Sequence, residues 1–376
     1  MTWKEAKTEV WYMKFVGKAV SIGLTAAVVA FAVGCASTSG VEVSNLDYKQ
    51  GGDFPIVEAS SYTQTMTDEV LPFLDGVRSV GTIAAKGDGH RIYYERYDVE
   101  GEKGTVVILH GFSEFIAKYN EVIYYFLKQG YDVFMIEHFG HGYSQRSDSL
   151  NEDLAKIQVK DFDVYTADLK QFLDEVVLPH KGAGGLFLFA HSMGGGIGTR
   201  FLEQYPGYFD KAVLTSPMIG VQTNGVPEFL ASFIASSAVF FGQGDGYVFG
   251  HSAWDGNDGD FLESPGTSYT RYLYYNELRR SDDYHQTYGA TWAWLKSSLK
   301  ATSKMVKDAE KLTVPTVLFQ ADGDTLVRND RQLELAAKAP DVRIVFCPDT
   351  KHEIFNSPDE IIAPYWSAVF EFLGAD

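Results

Sequence analysis

Apolar positions along the chain fall into short unbroken blocks separated by stretches with helical spacing. Thr105-Val106-Val107-Ile108-Leu109 and Asp132-Val133-Phe134-Met135-Ile136 are two such blocks. Leu186 to Ala190, Ala212 to Leu214, Val314 to Gln320 and Arg343 to Cys347 continue the series. Successive strand side chains point to opposite faces, so a run without polar alternation suits a strand covered on both sides. Arg91 to Tyr97 alternates instead, as an antiparallel strand early in the chain should. Residues 120–129, 164–177, the stretch after Ser192, 328–338 and 359–373 carry helical periodicity. Strand and helix alternate in this order, which predicts an α/β fold with a mostly parallel central sheet and helices on both faces. Ligand sites in such sheets lie beyond the carboxyl ends of the strands.

The alternation stops between Ser216 and about Lys311. Pro227 to Ile234 and Ala238 to Phe241 make a strongly apolar helical stretch, and Tyr269 to Leu278 and Thr291 to Leu299 read as amphipathic helices. An insertion here sits above the strand ends. Residues 217–311 are therefore expected to form a helical cap with an apolar inner face, over a body made of 63–216 and 312–376.

The stretch Leu186-Phe187-Leu188-Phe189-Ala190-His191-Ser192-Met193-Gly194-Gly195-Gly196 joins a strand-length apolar run to a helical pattern through a corner of small residues. A serine at such a corner is forced into a strained conformation that lifts its hydroxyl clear of the sheet, with helix N–H groups pointing at it. Ala190 stands where glycine is usual and still fits. A serine hydroxyl needs an adjacent base, itself oriented by a buried carboxylate. Asp324 follows one late strand and His352 the next, so Ser192, Asp324 and His352 are the expected catalytic set. Asp322 is the rival acid in the same short loop and is otherwise a turn former. The backbone N–H groups of Phe112, after His110-Gly111, and of Met193 are the expected oxyanion donors. His110 and His191 are read as hydrogen-bonding scaffold.

The amino terminus has another character. Lys14 and Lys18 precede an apolar stretch from Ala19 to Gly34, sixteen residues that are short for a membrane span and read as a secretory leader. Met13 is a more ordinary start for it than Met1, because Glu5 and Glu9 sit badly in a basic leader. The Gly34-Cys35 junction resembles the lipobox of bacterial lipoproteins, which implies cleavage of 1–34 and acylation of Cys35. Residues 35–62 are then the lipidated cysteine and a polar tether. The resemblance implies an envelope protein, lipid-anchored on the periplasmic side. Ala36 after the cysteine, in place of aspartate, hints at the outer membrane.

The chain of 376 residues carries a net charge of −18. Residues 1–34 hold four basic and two acidic side chains, so the cleaved chain stands at −20. Such acidity argues against a nucleic-acid partner and against electrostatic docking on anionic lipid. The second cysteine, Cys347, lies in an apolar run and reads as a buried thiol, so no disulfide is expected. Asp255-Gly256-Asn257-Asp258-Gly259-Asp260 resembles a calcium loop in composition only, and is read as a solvated cap loop. No metal and no cofactor are expected.

His110-Gly111-Phe112-Ser113-Glu114 with Tyr119, Gly140-His141-Gly142-Tyr143-Ser144, His191-Ser192-Met193-Gly194-Gly195, Ser216-Pro217, Asp324 and His352-Glu353 form an ordered set. Together they resemble the monoacylglycerol lipase and lysophospholipase branch of the α/β-hydrolases. Thr287-Tyr288-Gly289-Ala290-Thr291-Trp292-Ala293-Trp294 is further similar to the bacterial lysophospholipase L2 type. The resemblance spans residues 65 to 373 and implies an α/β-hydrolase fold. It also implies a serine esterase acting on a single-chain acyl ester, with an acyl-Ser192 intermediate and the acyl chain under the cap. Glu137 stands where this branch usually has aspartate, a scaffold position. An aminopeptidase or amidase of the same fold, and a catalytically silent envelope binding protein, are the alternatives.

Overall fold

In a computed structural model, residues 41–86, 89–147 and 153–374 are described. The leader and Cys35 lie outside the described residues. Nine strands form one sheet: β1 (Val43–Asn45), β2 (Arg78–Ala84), β3 (Arg91–Tyr97), β4 (Gly104–Leu109), β5 (Tyr131–Ile136), β7 (Gly185–His191), β8 (Lys211–Thr215), β10 (Thr316–Ala321) and β11 (Val342–Cys347). The order is β1-β11-β10-β8-β7-β4-β5-β3-β2. β3 pairs antiparallel with both β2 and β5, and the other pairs are parallel. Short β6 (Lys156–Ile157) and β9 (Gly289–Ala290) pair with each other outside this sheet.

Alternate strand residues feed two apolar layers. Val107, Leu109, Leu188, Leu214 and Leu318 face one layer, while Val106, Ile108, Phe189, Val213 and Phe319 face the other. This is the arrangement that unbroken apolar runs anticipate. The longer helices are α1, a continuous run through Tyr62–Thr65, a wider turn at Met66–Val70 and Leu71–Val77; α2 (Asn120–Lys128); α3, a continuous run through Asp163–Phe172, a wider turn at Leu173–Val177 and Leu178–His180; α4 (Ser192–Gln204); α5 (Glu228–Phe240); α6 (Tyr269–Ser281); α7 (Trp292–Asp308); α8 (Asn329–Lys338); and α9 (Asp359–Gly374). α3, α4 and the end of α7 cover the first layer, and α1, α2 and α9 the second.

Two boundaries differ from the sequence reading. The described part of the expected tether, 41–62, is packed onto the body. Val43 to Asn45 add a parallel strand beside Ile344 to Phe346, and Leu46, Val57 and Tyr62 are buried. Its anchors are single apolar residues at uneven spacing, which create no period to read, and β1 is held by backbone bonds at an open sheet edge. The expected cap limit at 311 is also too late. α7 begins in the cap, but Ala301, Met305 and Val306 pack in the same layer as Ile197 and Phe201 of α4, so its last turns belong to the body.

The packed amino-terminal segment and the cap meet at Arg271 of α6, whose side chain is 1% exposed. Its guanidinium donates to both carboxylate oxygens of Glu121, to Asp359 and to the Val57 carbonyl. Replacing Arg271 by methionine leaves Glu121 buried without its counterion. The expected cost is about 3–5 kcal/mol of unfolding free energy, read from urea denaturation.

Candidate active site

Five loops converge at the carboxyl ends of adjacent strands: His110–Phe112 after β4, Ser192 after β7, Ser216 after β8, Asp324 after β10 and His352 after β11. Ser192 has φ of 52°, a left-handed conformation that L side chains adopt at a cost. The sharp turn is possible because Gly194 and Gly195 lack a Cβ. One at Gly194 would stand 2.3 Å from the Leu109 carbonyl oxygen, and one at Gly195 2.6 Å from Pro217.

Ser192 Oγ lies 2.7 Å from His352 Nε2, and His352 Nδ1 lies 2.7 Å from Asp324 Oδ2. With Nδ1–H donating to the carboxylate, Nε2 is left as acceptor for the serine proton. The other oxygen of Asp324 accepts from the N–H groups of Leu326 and Val327. Burial alone raises this carboxyl, but His352 and these donors outweigh it and hold Asp324 below its ordinary range. Asp322 points elsewhere. It accepts from the N–H groups of Asp349 and Thr350, tying the β10 loop to the loop that carries His352.

Gly111 sits against Ser192, since a Cβ there would come within 3.1 Å of the serine Cβ. The N–H of Phe112 has no acceptor among the described residues. Met193 is in the first turn of α4, where backbone N–H groups lack intrahelical acceptors. Both groups adjoin Ser192 and are free for an oxyanion. The Phe112 ring packs on Trp294 of α7 at 4.4 Å, so the cap braces this loop.

Sequence reasoning gave no role to the support beneath the loops. Glu114 accepts from Gly111 N–H at 2.5 Å and from the Tyr119 hydroxyl at 2.6 Å. Lys118, 2% exposed, donates to Glu114 at 2.7 Å and to Glu353, next to His352, at 2.5 Å. Glu114, Tyr119 and Glu353 stood in the motif set that carries the family resemblance, and the i,i+4 spacing of Glu114 and Lys118 was a further signal. Burial pushes the Glu114 carboxyl up, yet the Lys118 ammonium and His191 hold it well below the carboxylate range. Glu114, His191 and Glu353 present ligand atoms within 4.8 Å of one another, a spacing that could hold a metal. Lys118 bonds both carboxylates, so a cation there would have to displace an ammonium. The loop at 255–260 satisfies its acids locally: Asp255 accepts from Asn257, Asp260 from Leu262 N–H, and Asp258 pairs with Arg280.

His110 and His191 are scaffold in the structure. His110 Nε2 accepts the His138 N–H, and His191 Nδ1–H donates to the Thr215 carbonyl. Glu137 accepts from the N–H groups of Ile116 and Tyr143, and burial lifts its carboxyl to about 8. Burial lowers His110 and His191 to about 4 each, and His138 and His141 move the same way. Unfolded histidine titrates near 6.5, so between pH 6.5 and 4 the unfolded chain binds protons that the folded chain refuses. Stability is then lost as pH falls through that window, by about 3 kcal/mol for each of His110 and His191. Glu137 and Glu203, both lifted by burial to about 8, act oppositely between pH 8 and 4.5, but four imidazoles outweigh them. The urea midpoint is expected to fall steeply from pH 6.5 to 4.

The cavity over Ser192 has a volume of about 810 Å³ and is lined by body residues Phe112, Ser192, Met218 and His352 and by cap residues including Ala231 and Ile234. Of the large apolar residues of α5, Ile234 turns inward beside Ala231. These two give the cap the apolar inner face that the sequence leads one to expect, while Phe229, Phe233 and Phe240 lie on the other face of the helix, 77%, 67% and 83% exposed.

The family model described as serine aminopeptidase, S33 matches residues 100–359. Lysophospholipase L2 of Escherichia coli (strain K12) is 30% identical over 291 residues, covering 75% of this chain and 83% of that protein. The probable lysophospholipase L2 of Haemophilus influenzae is 29% identical over 71% of this chain and 83% of its own. A soluble variant of monoglyceride lipase from Saccharomyces cerevisiae, solved with a substrate analogue, superposes with a TM-score of 0.61 at 17% identity, covering 79% of this chain and 96% of that one. The strand order, the serine corner and the span of the family match agree, and the chain belongs to the S33 serine aminopeptidase family of α/β-hydrolases.

Proposed function

We propose that the protein is a serine esterase that cleaves single-chain acyl esters, a lysophospholipid or a monoacylglycerol, through an acyl-Ser192 intermediate. The observation that carries this reading is the relay at the cavity floor, with Ser192 Oγ and Asp324 each 2.7 Å from one ring nitrogen of His352. His352 takes the serine proton as Oγ attacks the carbonyl carbon. The charge on the carbonyl oxygen is met by the N–H groups of Phe112 and Met193. His352 then returns the proton to the departing alcohol, and a water activated by the same imidazole releases the fatty acid. The names of the relatives, lysophospholipase L2 and probable lysophospholipase L2, support this substrate class.

A peptide or amide reading is favoured by one fact, the family's description as an aminopeptidase. A panel of lysophospholipids, monoacylglycerols and aminoacyl arylamides separates the two, with turnover expected on the esters. Turnover of arylamides alone would overturn the esterase reading. Fluorophosphonate labelling of Ser192 is expected, and its absence would favour a silent binding protein. The leader and Gly34-Cys35 junction support, from sequence, a lipid-anchored protein of the bacterial envelope. Loss of metabolic palmitate labelling in Cys35→Ala tests that attachment.

A further inference from the structure

We propose that Arg279, on cap helix α6, seats the phosphodiester of a lysophospholipid and so selects phosphorylated over neutral single-chain esters. The proposal rests on the esterase reading and decides between its two substrate classes. Arg279 lines the cavity that holds Ser192 and His352, yet the residue is 8% exposed. Its guanidinium stands among rings, 4.7 Å from the centroid of Tyr275, 5.4 Å from Tyr288 and 6.0 Å from Trp254. Nη2 donates to the Tyr275 hydroxyl, and Nε is buried with no acceptor among the described residues. Among the described residues no carboxylate pairs with it. Arg271 and Arg200, comparably buried, each pair with carboxylates. A guanidinium does not shed its charge, and burying one without a counterion is costly. Asn276, one turn earlier and 2% exposed, lines the same cavity, and among the described residues its amide nitrogen also lacks an acceptor. Two unsatisfied donors on one wall fit an anion delivered by the ligand.

The placement suits the phosphate of such a lipid. The Tyr275 hydroxyl reaches the Ser113 carbonyl at 3.5 Å, and Ser113 follows Phe112, so one tyrosine separates the guanidinium from the oxyanion loop. In a lysophospholipid only the glycerol backbone separates the ester from the phosphate. Glu114 and Glu353 are engaged by Lys118, and Asp258 by Arg280, so they do not compete for Arg279. Asp260 and Glu263 also line the cavity, which favours a head group with a cation beyond its phosphate, such as ethanolamine.

The test compares kcat/KM for lysophosphatidylethanolamine and for a monoacylglycerol with the same acyl chain. The ratio of the two cancels losses from imperfect folding. It is expected to fall about ten- to hundredfold in Arg279→Gln and to recover in part in Arg279→Lys. A ratio within twofold of wild type overturns the proposal and leaves Arg279 as packing between the three rings. Glycerophosphoethanolamine is expected to inhibit hydrolysis of a p-nitrophenyl ester in the wild type and several-fold less in Arg279→Gln. Inorganic phosphate inhibiting as strongly reassigns the site to free phosphate and overturns the head-group reading. Failure of the wild type on every ester would instead sink the esterase reading itself.

Discussion

Replacing Ser192 by alanine is expected to lower kcat for ester hydrolysis by about 10⁶-fold, leaving only what binding and the oxyanion donors supply. The size follows from the role: with no Oγ there is no acyl intermediate, and His352 has no proton to accept. Replacement by glycine should abolish turnover equally but differ in stability. The φ of 52° at Ser192 penalises any residue with a Cβ, so Ser192→Gly is expected to gain about 1 kcal/mol over Ser192→Ala. Steady-state assays and paired urea melts read both effects. Turnover above one hundredth of wild type in either variant would place the nucleophile elsewhere. Equal stability of the two would mean that the corner is not strained.

The strands and the serine corner were legible because they obey local rules. A strand covered on both faces must be apolar at consecutive positions, and a tight strand-to-helix turn must be small at Gly194 and Gly195, where backbone and Pro217 press in. His352 and Asp324 could be named because strand order alone brings their loops to one rim. Contacts that depend on distant partners left no such trace. Val57, Arg271 and Asp359 meet across 302 positions of sequence. Nothing near any of them announces the others. The inward face of α5 was illegible for a related reason: the helix is apolar nearly all round, so periodicity cannot say which side meets the cavity. Arg279 reads in sequence as an ordinary basic residue at a helix end. Its isolation from carboxylates exists only in the folded cap.

Lys118 links these two kinds of information, and its replacement by methionine is expected to cost as much stability as that of Arg271 and to cost activity as well. One ammonium holds Glu114, which fixes Gly111 beside the oxyanion loop, and Glu353, which adjoins His352. Removing it leaves two buried carboxylates facing each other, a loss of about 3–5 kcal/mol at neutral pH. The pH dependence identifies the cause. In the wild type the ammonium keeps Glu114 below the usual carboxylate range. Without it, burial and the neighbouring Glu353 carboxylate raise the folded value of Glu114 above the unfolded one. A carboxyl raised in this way favours the folded state at low pH and loses that contribution as pH rises through its folded value. The stability deficit of Lys118→Met relative to wild type should therefore be larger at pH 8 than at pH 5, read from urea midpoints. Activity should fall beyond what unfolding explains, because the oxyanion loop and the His352 loop lose their common tie, and the fall should appear in kcat rather than KM. A deficit independent of pH would mean that Lys118 acts through packing on Tyr275, which its ammonium covers at 4.2 Å. In that case Lys118→Arg should be as damaging as Lys118→Met, whereas a charge-based role predicts partial rescue by arginine.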